Sequence, residues 1–359
     1  MSYYYLLTME LQQYINSHTN YIKIARENNF KVKTYKGLKI LSYSYDSPIS
    51  EDLSWAMFCK GAVISPDNKI ICLGPVRASA VQEHEHEEGD TYEHLIDGTM
   101  INLFHYNGEW IISTRSEIGG YNKWNGKKSF RELFDECSKL DMVTLPKDLS
   151  YSFVMRHTEN RNVSPITDNE LILCEAYDYS NDTIRRIHPS EFPDNIYTKT
   201  ISYDNKEEFM KMYQGPVIDY ATKGYTIKRG SHRYKWINPY FDEIKNLKIN
   251  MNNHMLNYIE LRHNGNLSKY LRYYPEHKHL FNNYKEKIHT FTNDLYSCYK
   301  NTFIHKTSEK SEIPYHMKPL IYEIHKKYLD TKQPTSWQDT KDYIHNVPSK
   351  KLTFALNYC

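Results

Sequence analysis

Between Lys31 and about Lys228 the chain holds no apolar run longer than a short strand. Segments such as LKILSYSY (38–45), GAVIS (61–65), KIICLGPV (69–76), MINLFHY (100–106), EWIISTR (109–115), LSYSFVM (149–155) and LILCEAYDY (171–179) are cut off by Asp, Asn, Gly or Pro. That texture predicts strands of mostly antiparallel sheets. In FHYNGEWII (104–112), Asn107-Gly108 joins two such runs, and these residues take positive φ at both central positions of a tight hairpin turn. KKSFRELFDECSKL (127–140) supplies one helix among the strands, and Leu11, Tyr14, Ile15, Tyr21, Ile22 and Ala25 predict an opening helix over Glu10 to Arg26. After about Tyr240 helical periodicity takes over: Tyr284, Ile288, Phe291, Leu295, Cys298 and Phe303 share one face, and KPLIYEIHKKYLDT repeats the pattern. Pro275, Pro314, Pro319, Pro334 and Pro348 are expected to separate these helices. The expected fold is α+β, with an antiparallel-sheet domain over 1–240 and an all-helical C-terminal domain over 241–359.

A chain of 359 residues suits two cores better than one. A formal net charge of +2 with 25% charged residues excludes a whole-surface polyelectrolyte, though a local basic groove stays compatible with it. The six cysteines (Cys59, Cys72, Cys137, Cys174, Cys298, Cys359) are scattered without a paired spacing and read as reduced thiols. No run of about 18 apolar residues and no basic-then-apolar leader is present. The expectation is a soluble, cytoplasmic protein with no membrane partner.

The segment TYEHLIDGTMINLFHYNGEWIISTRSEIGGYNKW (91–124) carries the chemistry. An acidic residue and a glycine at a strand end, Asp97-Gly98, let a phosphate or ribose approach the backbone, and Arg115 on the next strand can neutralise it. Such pieces are common in sheets that bind nothing. The order of pieces is more telling: CKGAVISPDNKIICLGPV (59–76), EHLIDGTMINLFHYNGEWIISTRS (93–116), YSFVMRHTENRNVSPI (151–166), ILCEAYD (172–178) and KGYTIKRGSHRYKWINPYF (223–241). Over about residues 35–240 this succession resembles the phage-type RNA ligases, members of the covalent nucleotidyltransferase superfamily with DNA ligases and mRNA capping enzymes. It looks closest to ligase-like proteins of large DNA viruses, and the helical segment that follows is similar to the C-terminal part of that ligase type. The resemblance implies a nucleotidyltransferase, RNA ligase-like domain, ATP or another nucleotide as ligand, RNA as a possible partner, Mg²⁺ if the site is active, and host cytoplasm or virion as the location.

In that family a lysine two residues before Asp-Gly attacks the α-phosphate of ATP. Here that position is Leu95, which has no nucleophile. His94 is the nearby nitrogen nucleophile, and using it requires a one-residue strand shift that turns its side chain to the other face. Alignment on Asn160-Arg161 places Val154 where the family has a glutamate, and Lys223 stands where a second glutamate supports the metal. The positions matching phosphate and nucleotide binding, Lys60, Asp97, Arg115, Arg233 and Lys235, keep suitable character. Each of these residues also has an ordinary role in a sheet or loop.

Three other clusters draw attention. EHEHEEGD (83–90) sets two histidines among five acids and reads more readily as a solvated charged loop than as a metal site. His157 in RHTENRN, beside Arg156 and Arg161, is a possible general base but more commonly a structural histidine. KGYTIKRGSHRYK (223–235) interleaves five Lys/Arg with two tyrosines, a composition suited to phosphate contact and base stacking. Three readings remain open: a ligase-like protein that binds nucleotide or RNA without covalent transfer, an active divergent ATP-dependent RNA ligase using His94 or Lys60, and a structural virion-associated protein.

Overall fold

The computed structural model describes residues 4–43, 53–123, 128–180, 184–187, 198–199, 202–213, 218–230, 232–248 and 253–357. Chain order runs α1 (Tyr4–Ser17), α2 (Tyr21–Glu27), β1 (Phe30–Tyr35), β2 (Leu38–Tyr43), β3 (Ala62–Ile64), β4 (Ile70–Cys72), β5 (Ser79–Ala80), β6 (Thr91–His94), β7 (Thr99–Tyr106), β8 (Glu109–Ser113) and α3 (Phe130–Cys137). It continues through β9 (Leu149–Arg156), β10 (Glu170–Asp178), β11 (Arg185–Ile187), β12 (Thr198–Lys199), β13 (Ser202–Tyr203), α4 (Lys206–Lys211), β14 (Gly224–Arg229) and β15 (His232–Ile237). Helices follow: α5 (Pro239–Asn246), α6 (His254–His263), α7 (Leu267–Tyr273), α8 (Lys278–Tyr299), α9 (Lys318–Thr331), α10 (Trp337–Asn346) and α11 (Ser349–Asn357). The fold is a mixed α+β arrangement with antiparallel sheets and a helical C-terminal region. Two compact units divide it, Met1–Glu243 and Ile244–Cys359.

Three sheets build the first unit, in the orders β1-β2-β3-β4, β11-β10-β9-β7-β8 with β12 beside β10, and β13-β6-β14-β15-β5. Pairings are antiparallel except β10 with β12 and β15 with β5. The hairpin at Asn107-Gly108 has φ of 50° and 84°, so both turn residues take the positive values that their identities favour. The opening helix differs from expectation. It is broken into α1 and α2 at His18, Thr19 and Asn20, residues with modest helix preference. The break lets Tyr14, stacked on Trp55 at 4.0 Å, and Tyr21 enter one core with Ala25.

In the six-stranded sheet, Leu149, Tyr151, Phe153 and Met155 of β9 face α3, whose Ser129 closes a capping box with Glu132. Strand alternation sends Ser150, Ser152 and Val154 to the opposite face, where Ser152 Oγ donates to Asn102 Oδ1 at 2.8 Å. In the five-stranded sheet, Tyr92, Tyr225 and Ile227 pack on Phe209 of α4, with Tyr234 and Trp236 against them. The other face of that sheet carries Glu93, Thr226, Lys228, Arg233 and Lys235, and Lys228 Nζ reaches across to the Cys174 carbonyl of β10. Polar side chains therefore line the interval between two sheets of one unit, and the inner ones, Glu93, Lys228 and Glu175, are almost fully buried.

In the second unit, Phe281, Ile288, Phe291, Leu295 and Tyr299 of α8 are buried on one face. Pro319 does not separate helices; it sits in the first turn of α9, where the missing N–H is no loss. The five described cysteines are free thiols, and Cys359 lies outside the described residues. Among the described residues no helix is long and apolar enough to cross a membrane.

Candidate functional site

The Asp97-Gly98-Thr99 turn is locked to a segment more than sixty residues away. Asp97 Oδ2 accepts the Val163 and Ser164 N–H groups at 2.9 and 3.0 Å, and Asn160 Nδ2 donates to Thr99 Oγ1 at 2.8 Å. Ser164 Oγ in turn donates to the Ala221 carbonyl at 2.7 Å, tying in the approach to β14. Asp97 is buried and its carboxylate is taken up by the protein itself, so it joins segments instead of presenting a free acid to a ligand. Gly98 was expected to let a phosphate come close, but the close approach is internal. A Cβ there would lie 2.6 Å from both the Met155 carbonyl oxygen and Val154 Cγ1.

Before Asp97 the chain pairs with β14: Leu95 N–H donates to the Gly224 carbonyl at 2.9 Å, continuing the His94–Tyr225 register. Gly224 has φ +141°, and a Cβ would collide with the Trp236 carbonyl at 2.1 Å, so the strand crossing requires glycine. Next to it, the Lys223 side chain turns toward the Asp97 turn. Its Nζ donates to the Ile96 carbonyl at 3.1 Å and lies 3.7 Å from Asp97 Oδ1. Leu95 is half-buried and brings no nucleophile.

His94 points the other way, as strand alternation requires. Its Nδ1 lies 2.9 Å from the Tyr213 hydroxyl, its ring packs against Tyr203 and Phe209, and burial lowers its pKa.

Lys60 gathers the remaining candidates. Gly61, at φ +99°, packs on the Arg115 backbone, where a Cβ would meet the carbonyl oxygen at 3.1 Å; this brings the exposed Arg115 beside Lys60. The Lys60 amine is pushed down to about 7, first by burial and then by the charges of Arg233, Lys235, Arg115 and Lys223. The Nε of Arg233 is buried with no hydrogen-bond partner among the described residues. Deeper in the cleft, Lys228 Nζ lies 2.7 Å from Glu93 Oε2 and 3.5 Å from Glu175 Oε1, and Arg186 pairs with Glu175 at 3.2 Å. Arg186 is lowered to about 10, first by burial and then by Arg233.

This inner quartet was not singled out from the sequence. Its signal is a lone Glu175 inside the apolar run LILCEAY (171–177), since a charge in a buried strand needs a partner. The same alternation corrects the stacking expectation for residues 223–235: Tyr225 and Tyr234 face the aromatic cluster, and Lys228 and Arg229 are committed to ion pairs.

The other clusters are engaged within the fold. In EHEHEEGD, Asp90 is buried, not solvated: its Oδ2 accepts from the Glu87 N–H and meets His84 Nε2 at 2.8 Å and His86 Nδ1 at 3.2 Å, while Arg229 Nε lies 3.6 Å from Oδ1. Burial would raise the Asp90 carboxyl, but Glu87, His84 and Arg229 together hold it below its usual value. His157 is buried with Nε2 on Glu136 at 2.9 Å and Nδ1 accepting the Glu159 N–H. Glu136, His157 and Glu159 converge closely enough for a metal ion, but Lys128 Nζ already lies 2.9 and 2.6 Å from the two carboxylates.

For a metal beside Asp97, the surroundings do not fit. Mg²⁺ asks for a compact oxygen shell, whereas Val154 is apolar, Asp97 Oδ2 is spent on two N–H groups, and an ammonium faces Oδ1.

No protein-family model matches the chain, and no curated protein is a significant match. Solved structures similar to it include a provisionally assigned ATP-dependent DNA ligase from Aquifex aeolicus, at 16% identity and TM-score 0.43, covering 86% of this chain and 80% of that one. An archaeal ATP-dependent RNA ligase aligns at 13% identity and TM-score 0.44, over 94% of this chain and 76% of its own. A Naegleria gruberi RNA ligase mutant with ATP and Mn aligns at 12% identity and TM-score 0.31, over 44% and 52%.

Proposed function

We propose that this chain is an RNA ligase-like protein whose cleft holds the polyphosphate of ATP or another nucleotide, or a phosphorylated RNA end, without covalent transfer at position 95. The observation that carries this reading is a cluster of cations. Arg233, Lys235, Arg115 and Lys223 lie close enough to Lys60 that, after burial, their charges push its amine down to about 7, while further in Lys228 and Arg186 pair with Glu93 and Glu175. Partly desolvated like charges repel strongly, and a polyanion relieves them. The absence of an amine at Leu95 and the opposite facing of His94 support binding without transfer.

RNA as partner draws support from the distribution of charge. Residues 244–359 hold 18 Lys and Arg against 10 Asp and Glu, formally +8, while residues 1–243 hold 28 against 34, formally −6. A basic helical unit suits phosphodiester contacts.

One observation favours the active alternative: an amine with a pKa of about 7, such as Lys60, is a competent nucleophile near neutrality. In that reading Lys60 Nζ forms a bond to the α-phosphorus, the Pα–O bond to the β-phosphate breaks, pyrophosphate leaves, and the amine gives its proton to solvent. Mass spectrometry after exposure to each nucleoside triphosphate, with and without Mn²⁺, separates the two. Reversible binding in calorimetry with no adduct supports the binding reading; an adduct mapped to Lys60 replaces it with the active one. Neither binding nor adduct leaves the structural reading.

A further inference from the structure

We infer that the second unit carries a platform for an unpaired strand of nucleic acid, built where α8 ends against α9. There the Tyr322 ring takes a base, and Lys318 and Lys326 take the flanking phosphates. The platform specifies where the RNA proposed above is gripped and does not depend on what the cleft holds.

The platform begins with the end of α8. The helix passes into a π-helical turn, Lys300–Ile304, in which the His305 N–H donates to the Lys300 carbonyl at 2.8 Å. Such turns are rare and concentrate at functional sites. Helical spacing puts Phe303 on the face that buries Phe291 and Leu295, but in the wider turn Phe303 is half-buried and Ile304 is 49% exposed. The Phe303 ring stacks on His325 of α9 at 3.8 Å, rests on the buried Tyr299 at 5.7 Å and meets Tyr322 edge to face at 6.2 Å. Burial first and then Lys310 hold the His325 pKa below its ordinary value, so this stack is uncharged near neutral pH. Tyr322 is thus steadied from inside, yet 44% of it faces solvent. Among the described residues, four of the eight most exposed large apolar side chains, Ile304, Tyr315, Tyr322 and Leu329, fall in this stretch.

The charges along this face identify its occupant. Lys318, Tyr322 and Lys326 lie at i, i+4 and i+8 of α9, a single stripe with steps of about 6 Å, while Leu320, Ile321 and Ile324 on the opposite side are buried. Neither Lys318 nor Lys326 forms an ion pair among the described residues, and Lys310 Nζ lies 5.5 Å from the centre of the Phe303 ring. Several acids nearby are already taken. Glu323 accepts from Lys351 at 2.6 Å and from the Tyr343 hydroxyl, Asp339 lies 3.8 Å from Lys327, and Glu309 and Glu312 close the capping box of the turn that carries Lys310. A second protein seated on Tyr322 and Leu329 would have to answer both ammonium groups with acids at matched positions. A single strand of nucleic acid brings a π-face and a phosphate in every residue, the alternation that the stripe repeats. The unit's 18 Lys and Arg against 10 Asp and Glu favour the same polyanion.

The test is fluorescence titration of the full chain with oligouridylate and oligothymidylate of about ten residues, each carrying one 2-aminopurine, over a range of salt. Both strands are expected to bind with quenching of the probe base; equal affinity assigns recognition to the base and phosphate they share, and tighter RNA adds its 2′-hydroxyl. Tyr322→Leu keeps an apolar contact with Phe303 but removes the π-face, and is expected to weaken binding about tenfold or more with its salt dependence unchanged. Tyr322→Phe, which keeps the ring, is expected to bind as the wild type does. Lys318→Gln combined with Lys326→Gln is expected to lower the slope of log affinity against log salt by about 1.4, about 0.7 for each phosphate released. Strand binding that Tyr322→Leu leaves unchanged overturns the inference. So does a dimer of the chain that Tyr322→Asp dissociates while no strand binds, which assigns the face to a second copy. Tripolyphosphate titrated alongside reads the cleft: if it binds and neither strand does, only the platform falls, and if a strand binds through Tyr322 and tripolyphosphate does not, only the cleft reading falls.

Discussion

Two lysines of the same cleft meet opposite fates. Lys228 is 3% exposed and lies between Glu93 and Glu175, themselves 2% and 1% exposed, with Arg186 as a second cation. Lys60 is half-buried, and the groups acting most strongly on it are all cations. Both ammonium groups are withdrawn from water, Lys228 more completely, and the difference that matters is what surrounds them. A charge buried with its counter-charges holds the fold together, whereas one buried among like charges weakens the empty protein and is relieved by a ligand. The first arrangement marks architecture; the second is the one proposed to take up an anion.

The largest effect expected from this contrast is on Lys228. Lys228→Met leaves Glu93 without its close cation and should cost about 3–5 kcal/mol of unfolding free energy, measured in urea at neutral pH. Adding Glu93→Gln should recover much of that loss, because it removes the stranded charge. A cost below about 1 kcal/mol would remove the architectural half of the comparison. Arg233 tests the other half. Its buried Nε donor and its repulsion of Arg186 and Lys60 predict that Arg233→Met lowers tripolyphosphate affinity by about 1.5–3 kcal/mol, roughly ten- to a hundredfold, without loss of stability in the empty protein. If stability falls and affinity does not, Arg233 belongs with Lys228.

Lys60 sharpens the comparison through pH. In the folded, empty protein its amine titrates at about 7, against an ordinary 10.5, so between these values the unfolded chain binds more protons. The destabilisation from Lys60 is therefore complete below pH 7 and fades as pH rises toward 10.5. Relative to Lys60→Met, the wild type should gain stability across that window. Bound polyphosphate favours the charged amine, so binding at pH 8 should take up a proton, read from calorimetry in buffers of different ionisation enthalpy. No proton uptake would mean that the phosphates do not sit against Lys60.

The strands, the Asn107-Gly108 hairpin and the helical second half were legible because they follow from alternation, turn chemistry and helical spacing. The break between α1 and α2 was not, because it is decided by where Tyr14 and Tyr21 pack. At the site, motif order drew attention to Lys60, Arg115, Arg233 and Lys235, the residues whose charges act together. It misjudged Gly98, since a glycine that admits Met155 and Val154 looks the same in sequence as one that admits a phosphate. It also passed over the segregation of charge, because +8 and −6 nearly cancel in the whole-chain total of +2.

The smallest effect is expected at His94, and its smallness is informative. His94 and Leu95 are adjacent, yet the register of β6 on β14 places His94 among Tyr203, Phe209 and Tyr213, on the sheet face away from the cations. His94→Ala should cost about 1 kcal/mol through its lost ring packing and its contact with Tyr213. Because a neutral ring on the far side of a sheet adds little to the field in the cleft, ATP affinity should change less than about twofold. A loss of binding comparable to that of Arg233→Met would require β6 to slip by one residue. That slip would turn Leu95 toward Phe209 and His94 toward Lys60, and it would withdraw Glu93 from Lys228. The same displacement would then abolish the stability cost predicted for Lys228→Met, so the two measurements together decide the register on which the contrast between the two lysines depends.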